Sequence, residues 1–257
     1  MSALKIGKRY LYYVSAGIWW LAALSTSMVP NTAEASDTVG NIYTALTAGF
    51  REGDFGTTIN SELYSLTPEF GYIGENYDLS ASIPLQQLHI SGNGISYSES
   101  GVGDATLRAG RQLWKNSKTG LSFTASLNIK LATGDENKGL GTGGTDVGAS
   151  LSSSRKIGAY SYTALVGYTQ VGEPSGISYN NVVSYGIGAN RAFSRTNAFV
   201  TLQGQTSAIP GGTAPLEFDV GFFHIVSQDY VIITYGLIGL SDGSPSDGVS
   251  LGIVRWL

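Results

Sequence analysis

The chain has no cysteine in 257 residues, only two histidines, and only 13% charged residues. Without cysteine there are no disulfide staples and no thiolate-held metals. Two histidines leave no His-rich ligand cluster. Charge this sparse is about half the roughly 25% of an ordinary soluble domain, so little is available to wet a large surface. The net charge is −4, and the isoelectric point of about 5.1 leaves no basic face to follow a nucleic-acid backbone. A mean hydropathy of +0.04 is too low for a bundle of membrane helices. What the chain does have is 35 glycines, 11% aromatic residues and 42% hydrophobic residues.

The first residues read as an address. Lys5, Lys8 and Arg9 precede an apolar stretch, densest from Val14 to Leu24, and Ala33-Glu34-Ala35 fits a small-x-small cleavage site. Ser15, Ser25, Thr26 and Ser27 keep the apolar core below the ~20 residues of a membrane span. The expectation is a secretory signal peptide over 1–35 and a mature chain over 36–257.

After Ser36 the hydrophobic period is two, not 3.6. Leu121, Phe123, Ala125, Leu127, Ile129 and Leu131 share one face, and Ser122, Thr124, Ser126, Asn128 and Lys130 share the other. Twelve such segments fall near 42–50, 62–72, 77–89, 103–114, 121–132, 146–154, 160–171, 181–193, 198–206, 216–226, 230–240 and 248–257. Short and long connections alternate between them. Tight turns at one edge and longer loops at the other are expected of an up-and-down barrel in an outer membrane. Tyr72, Tyr77, Trp114, Tyr160, Phe193 and Tyr230 sit beside the short turns, where an interfacial girdle belongs. Backbone polar groups in lipid must pair internally, so the sheet must close. The predicted fold is all-β: a closed antiparallel up-and-down transmembrane β-barrel of about 12 strands, placed in the bacterial outer membrane. A turn centred near Ser117 would set Asp104 against Lys130 and Arg108 opposite Ser126. The longer connections at 90–102 and 133–145 are glycine-rich and are expected to fold over the mouth.

Several stretches carry a resemblance. They are Asp78-Leu79-Ser80-Ala81-Ser82-Ile83-Pro84, Gly101-Val102-Gly103-Asp104, and Lys130-Leu131-Ala132-Thr133-Gly134-Asp135 running into Gly139-Leu140-Gly141-Thr142-Gly143-Gly144-Thr145-Asp146. Together with Asp247-Gly248-Val249-Ser250-Leu251-Gly252 they resemble the outer-membrane barrel family labelled "meta-pathway of phenol degradation". Ala132 stands where that family usually has proline, and the chain ends Val254-Arg255-Trp256-Leu257 rather than on an aromatic residue. The resemblance implies passage of small, aromatic or hydrophobic compounds.

The alternation turns Asp78, Asp104, Arg108, Asn128, Lys130 and Asp219 toward the lumen. These six are the expected solute pathway. Both charge signs occur among them, so no single-sign selectivity ring is expected. Inward Gly110, Gly148, Ser150, Gly186, Gly188 and Gly252 leave room for a narrow pore. No cofactor, metal or covalent step is expected. The expected partners are the lipid bilayer, lipopolysaccharide, the barrel-assembly machinery and a small-molecule solute. Two alternatives remain at this stage. One is a plugged structural or adhesive barrel. The other is an outer-membrane acyl hydrolase with a Ser–His pair on the outer face of the wall, because Tyr168-Thr169-Gln170 and His89-Ile90-Ser91-Gly92-Asn93 superficially resemble the phospholipase barrels. Asp135, Glu136 and Asp146 are a further candidate set for a hard cation in the outer loops.

Overall fold

The computed structural model describes residues 41–174 and 178–257, so the expected leader lies outside the described residues. Strands carry almost all of it. β1 (Asn41–Gly53) and β2 (Asn60–Ile73) form the first hairpin. β3 (Tyr77–Ser82) and β4 (Leu85–Gly92) are two halves of one wall strand, and β5 (Ile95–Val102) and β6 (Ala105–Asn116) are two halves of the next. Then follow β7 (Leu121–Leu131), β8 (Asp146–Ile157), β9 (Tyr160–Gln170), β10 (Val182–Phe193), β11 (Thr196–Gln205), β12 (Leu216–Ile225), β13 (Tyr230–Gly239) and β14 (Asp247–Trp256).

Neighbouring strands pair antiparallel, and β1 pairs with β14 from Tyr43 opposite Trp256 to Glu52 opposite Asp247. The sheet therefore closes on itself. With each split strand counted once, twelve strands surround the lumen, the number that the period-two segments give. The outward positions are apolar: Ile187, Val220 and Leu251 are 60%, 52% and 56% exposed. Such a band is costly in water and natural in lipid. The girdle forms at the edge of the short turns. The Tyr72 and Tyr77 rings lie 5.5 Å apart, and those of Trp114 and Phe123 lie 5.8 Å apart.

The wall departs from the sequence reading in two places. Residues 90–102 are not a loop over the mouth. They turn at Asn93-Gly94 and run back as β5, pairing from Gly92 opposite Ile95 to Leu85 opposite Val102. Asn93 and Gly94 have φ of 50° and 76°, the left-handed pair that a two-residue hairpin turn needs. The strand breaks at Pro84, which has no N–H to give, and Gly103 N–H donates to the Pro84 carbonyl at 2.8 Å to carry the pairing past it. The β6–β7 register is also displaced. Arg108 faces Asn128 rather than Ser126, because the turn occupies the four positions between Asn116 and Leu121 and a bulge intervenes at Gln112/Trp114.

Candidate functional site

Alternation turns all six expected residues inward, but the fold distributes them over three distinct environments. Lys130, at the outer end of β7, anchors the first. Its Nζ lies 2.8 Å from Asp104 Oδ2 and 3.0 Å from Asp146 Oδ2, donates to the Gly144 carbonyl at 2.9 Å, and also contacts Thr142 Oγ1. The expected Asp104–Lys130 contact thus forms even though the register is displaced. Asp104 sits one step beyond the end of β6, and the lysine reaches it diagonally. Asp104 also accepts from the backbone N–H of Gly134 at 2.9 Å and of Thr142 at 3.0 Å.

These bonds hold the 133–145 connection down on the inner face of the β4–β5 hairpin. Leu140 enters an apolar cluster with Ile59, Leu63, Leu88 and Ile90, and Lys138 pairs with Glu99 at 3.1 Å. The close approach explains a glycine: a Cβ on Gly141 would lie 2.4 Å from Asp104 Oδ1 and 2.9 Å from the Gly134 Cα. The Asp104 side chain is left with 0% exposure. Asp104 and Lys130 therefore fasten a strap, and the side chains that reach the lumen's solvent are others. Asp146 belongs to this latch. Asp135 caps the short 3₁₀ turn Glu136–Lys138 by accepting from Asn137 N–H at 2.9 Å, so the three acids considered for a cation do not converge.

Asp78, Arg108 and Asn128 form the second environment, on β3, β6 and β7. Arg108 Nη1 lies 2.9 Å from Asp78 Oδ2, with side-chain exposures of 17% and 27%. This pair is accessible where the Lys130 pair is not. Beside it, the Tyr43 hydroxyl donates to Glu69 Oε1 at 2.6 Å. Next along the wall, β7 to β10 present Ser126, Ser150, Ser184, Gly186 and Gly188 inward.

Asp219 lies in the third environment, across the barrel. It accepts from Gln203 Nε2 at 2.7 Å, and Arg51 faces both Asp219 and Glu217. Below them the inner face of β11 to β13 is aromatic. Phe199 lies 5.0 Å from Phe223 and 6.5 Å from Tyr235 between ring centroids. The Phe199 ring covers Gly221, where a Cβ would come within 2.8 Å of it. In the closed order of twelve, β12 stands six strands from β6, so this aromatic wall faces the Asp78–Arg108 wall. Sequence reasoning missed Arg51, Tyr235 and the two phenylalanines. Arg51 lies one position past the 42–50 segment, because β1 runs further than its apolar pattern. The inward aromatics sit among outward apolar residues, and β13 (YVIITYGLIG) shows no clean alternation.

The residues of the hydrolase alternative do not assemble. His89 is on β4, while Thr169 and Gln170 are on β9, and Ser91 lies on the same side of β4 beyond it. His89 is flanked on the outer face by Glu62 and Ser98, which oppose it on β2 and β5. No side-chain hydrogen bond joins the imidazole to either.

A closed twelve-stranded barrel with an apolar outer band, an aromatic girdle and a mixed polar and aromatic lumen is an outer-membrane barrel of the porin-like class. The chain belongs to the family described as "Putative MetA-pathway of phenol degradation", whose model matches residues 29–222. Among solved structures it is similar to the KdgM porin, with 8% identity, a TM-score of 0.54, and coverage of 83% of this chain and 98% of that one. It is also similar to the translocator domain of the autotransporter NalP from Neisseria meningitidis, with 12% identity, a TM-score of 0.50, and coverage of 91% and 95%. At these identities the likeness is one of fold. No curated protein matches the sequence.

Proposed function

We propose that the barrel is a passive channel for small solutes, with a preference for aromatic or otherwise hydrophobic compounds that carry a polar group. The observation that carries this reading is the two-sided lumen. An aromatic wall of Phe199, Phe223 and Tyr235 faces a polar wall with the accessible Arg108–Asp78 pair. A ring with a hydroxyl or carboxylate can pack against the half-buried Tyr235, backed by the buried Phe199 and Phe223, and hydrogen-bond on the other side. Asn128 and the inward serines and glycines of β7 to β10 give the passage width without adding charge. Asp219 and its partners line the aromatic side, while Asp104 and Lys130 act on the pathway only through the strap. No covalent step is involved. Export by the leader over 1–35, insertion by the barrel-assembly machinery, and contact of the outer loops with lipopolysaccharide complete the proposal.

The test is single-channel recording of the refolded mature chain in a planar bilayer. Discrete open levels are expected. A protein that inserts and shifts on heating in gels, yet never conducts, would favour a plugged structural barrel. In the same assay, Arg108→Ala leaves Asp78 uncompensated and should shift reversal potentials toward cation selectivity. The expected change in permeability ratio is roughly two- to fivefold, the size of a barrier difference of about 0.5–1 kcal/mol for one part-exposed charge. Asp78→Asn should shift it the other way. If neither variant moves the reversal potential, these two residues do not line the conducting path.

A further inference from the structure

The lipid-facing surface is uneven in charge. Four arginines, Arg111, Arg155, Arg191 and Arg255, lie on outward positions at the edge of the short turns, and each is exposed. Each has a tyrosine directly across from it on the next strand: Tyr77 for Arg111, Tyr162 for Arg155, Tyr160 for Arg191 and Tyr230 for Arg255. Two of these pairs are stacked: the guanidinium carbon of Arg191 lies 5.3 Å from the Tyr160 centroid, and that of Arg255 lies 5.9 Å from Tyr230. Arg191 also lies 4.8 Å from the Phe193 ring. None of the four joins an ion pair among the described residues. Lys118 and Arg195 add positive charge in the adjoining turns, against Glu75 and Asp229 there.

An apolar groove leads away from one of these pairs. It has a volume of about 710 Å³ and runs from Tyr230 and Arg255 past Leu46, Phe70 and Ile83 to Leu107. Its lining residues Tyr230, Arg255, Leu46, Phe70, Ala81 and Leu107 sit on six successive wall strands, β13, β14, β1, β2, β3 and β6, with Ile83 just past the end of β3. At ~4.8 Å per strand the groove is about 24 Å long, which suits one extended acyl chain.

We propose that this edge binds anionic phospholipid of the periplasmic leaflet. The Arg–Tyr pairs hold phosphodiester headgroups, and the groove below Arg255 takes an acyl chain of one such lipid. The short turns mark this edge as periplasmic. A planar guanidinium fixed by an aromatic ring presents its remaining N–H groups to a phosphate in a fork that lysine cannot offer. A neighbouring phenol belongs at the same headgroup depth. Zwitterionic lipid has the same phosphate, but its own cation competes with the arginine, so the negative net charge is the discriminating feature.

The refolded full barrel in detergent micelles is titrated with phosphatidylglycerol or phosphatidylcholine of the same chains, and retained lipids are counted by native mass spectrometry. Phosphatidylglycerol should be retained preferentially, and the preference should collapse in high salt. The variant Arg191→Gln/Arg255→Gln should lose roughly fivefold in phosphatidylglycerol retention per arginine, with phosphatidylcholine unchanged. Neither residue faces the lumen, so conductance should stay at its original value and report that the variant has folded. Ile83→Trp, which fills the groove, should reduce retention without altering the salt dependence. Equal retention of the two lipids by the unmodified barrel would overturn the proposal. So would a preference indifferent to salt or to the arginine substitutions, and the edge would then be read as a surface for an acidic periplasmic protein.

Discussion

Lys130→Met is expected to release the strap and to be the most damaging single change in the barrel. The lysine is the cation shared by Asp104 and Asp146, at 2.8 and 3.0 Å, and its side chain is only 11% exposed. Removing it leaves two carboxylates facing each other in a covered site. Breaking a buried pair from one side typically costs about 3–5 kcal/mol, because the remaining charge is uncompensated. The backbone bonds from Gly134 and Thr142 to Asp104 stay in place but then hold a carboxylate with no cation beside it. Urea unfolding followed by tryptophan fluorescence should show the loss. Protease cleavage within 133–145 should become faster, because Leu140 loses its place among Ile59, Leu63, Leu88 and Ile90. The triple variant Lys130→Met/Asp104→Asn/Asp146→Asn removes the stranded charges and should recover most of the stability without restoring the strap. If Lys130→Met unfolds like the unmodified chain and the strap resists protease, the latch does not hold it.

The latch shows which parts of the molecule could be read from the sequence. Strand period, closure and girdle were legible because each repeats: the alternation in Leu121–Leu131 recurs around the wall, and aromatics recur beside every kind of short turn. The Asp104–Lys130 contact was legible for a weaker reason. A turn near Ser117 puts the two on adjacent strands, and the reach of a lysine side chain absorbs the two-residue displacement in register. What could not be read was the path of the 133–145 chain, which depends on close backbone approach at Gly134 and Gly141 and on a third residue, Asp146, that the alternation alone treats as the first position of a strand. The β4–β5 hairpin did leave a signal, in Asn93-Gly94 between segments of alternating character, and glycine-rich composition obscured it. The aromatic wall left almost none. In a lipid-embedded barrel both faces of a strand can be apolar, so Phe199 and Phe223 could be told from lipid-facing residues only by phase.

That wall gives the second large expected effect. Phe199→Ala should widen the passage and weaken its hold on aromatic solutes at once. Phe199 is 9% exposed, packs on Phe223 and Tyr235, and covers Gly221, which offers no side chain to fill the space left behind. The potassium chloride conductance should therefore rise. Phenol should still block the channel, but more weakly. An aromatic pair contributes about 0.5–1.5 kcal/mol beyond area burial, so the half-blocking concentration should increase roughly two- to tenfold. Phe199→Leu keeps most of the volume and loses the ring, and this separates the two effects: conductance should stay near the original value while the block weakens. Cyclohexanol, which matches phenol in size and hydroxyl but has no ring quadrupole, is the control solute, and its block should change little in Phe199→Leu. If both solutes respond alike to both variants, the phenylalanines act as packing that narrows the lumen. The preference for aromatic solutes would then have to come from elsewhere in the barrel, with the outer cluster around Leu88 and Leu140 the next place to look.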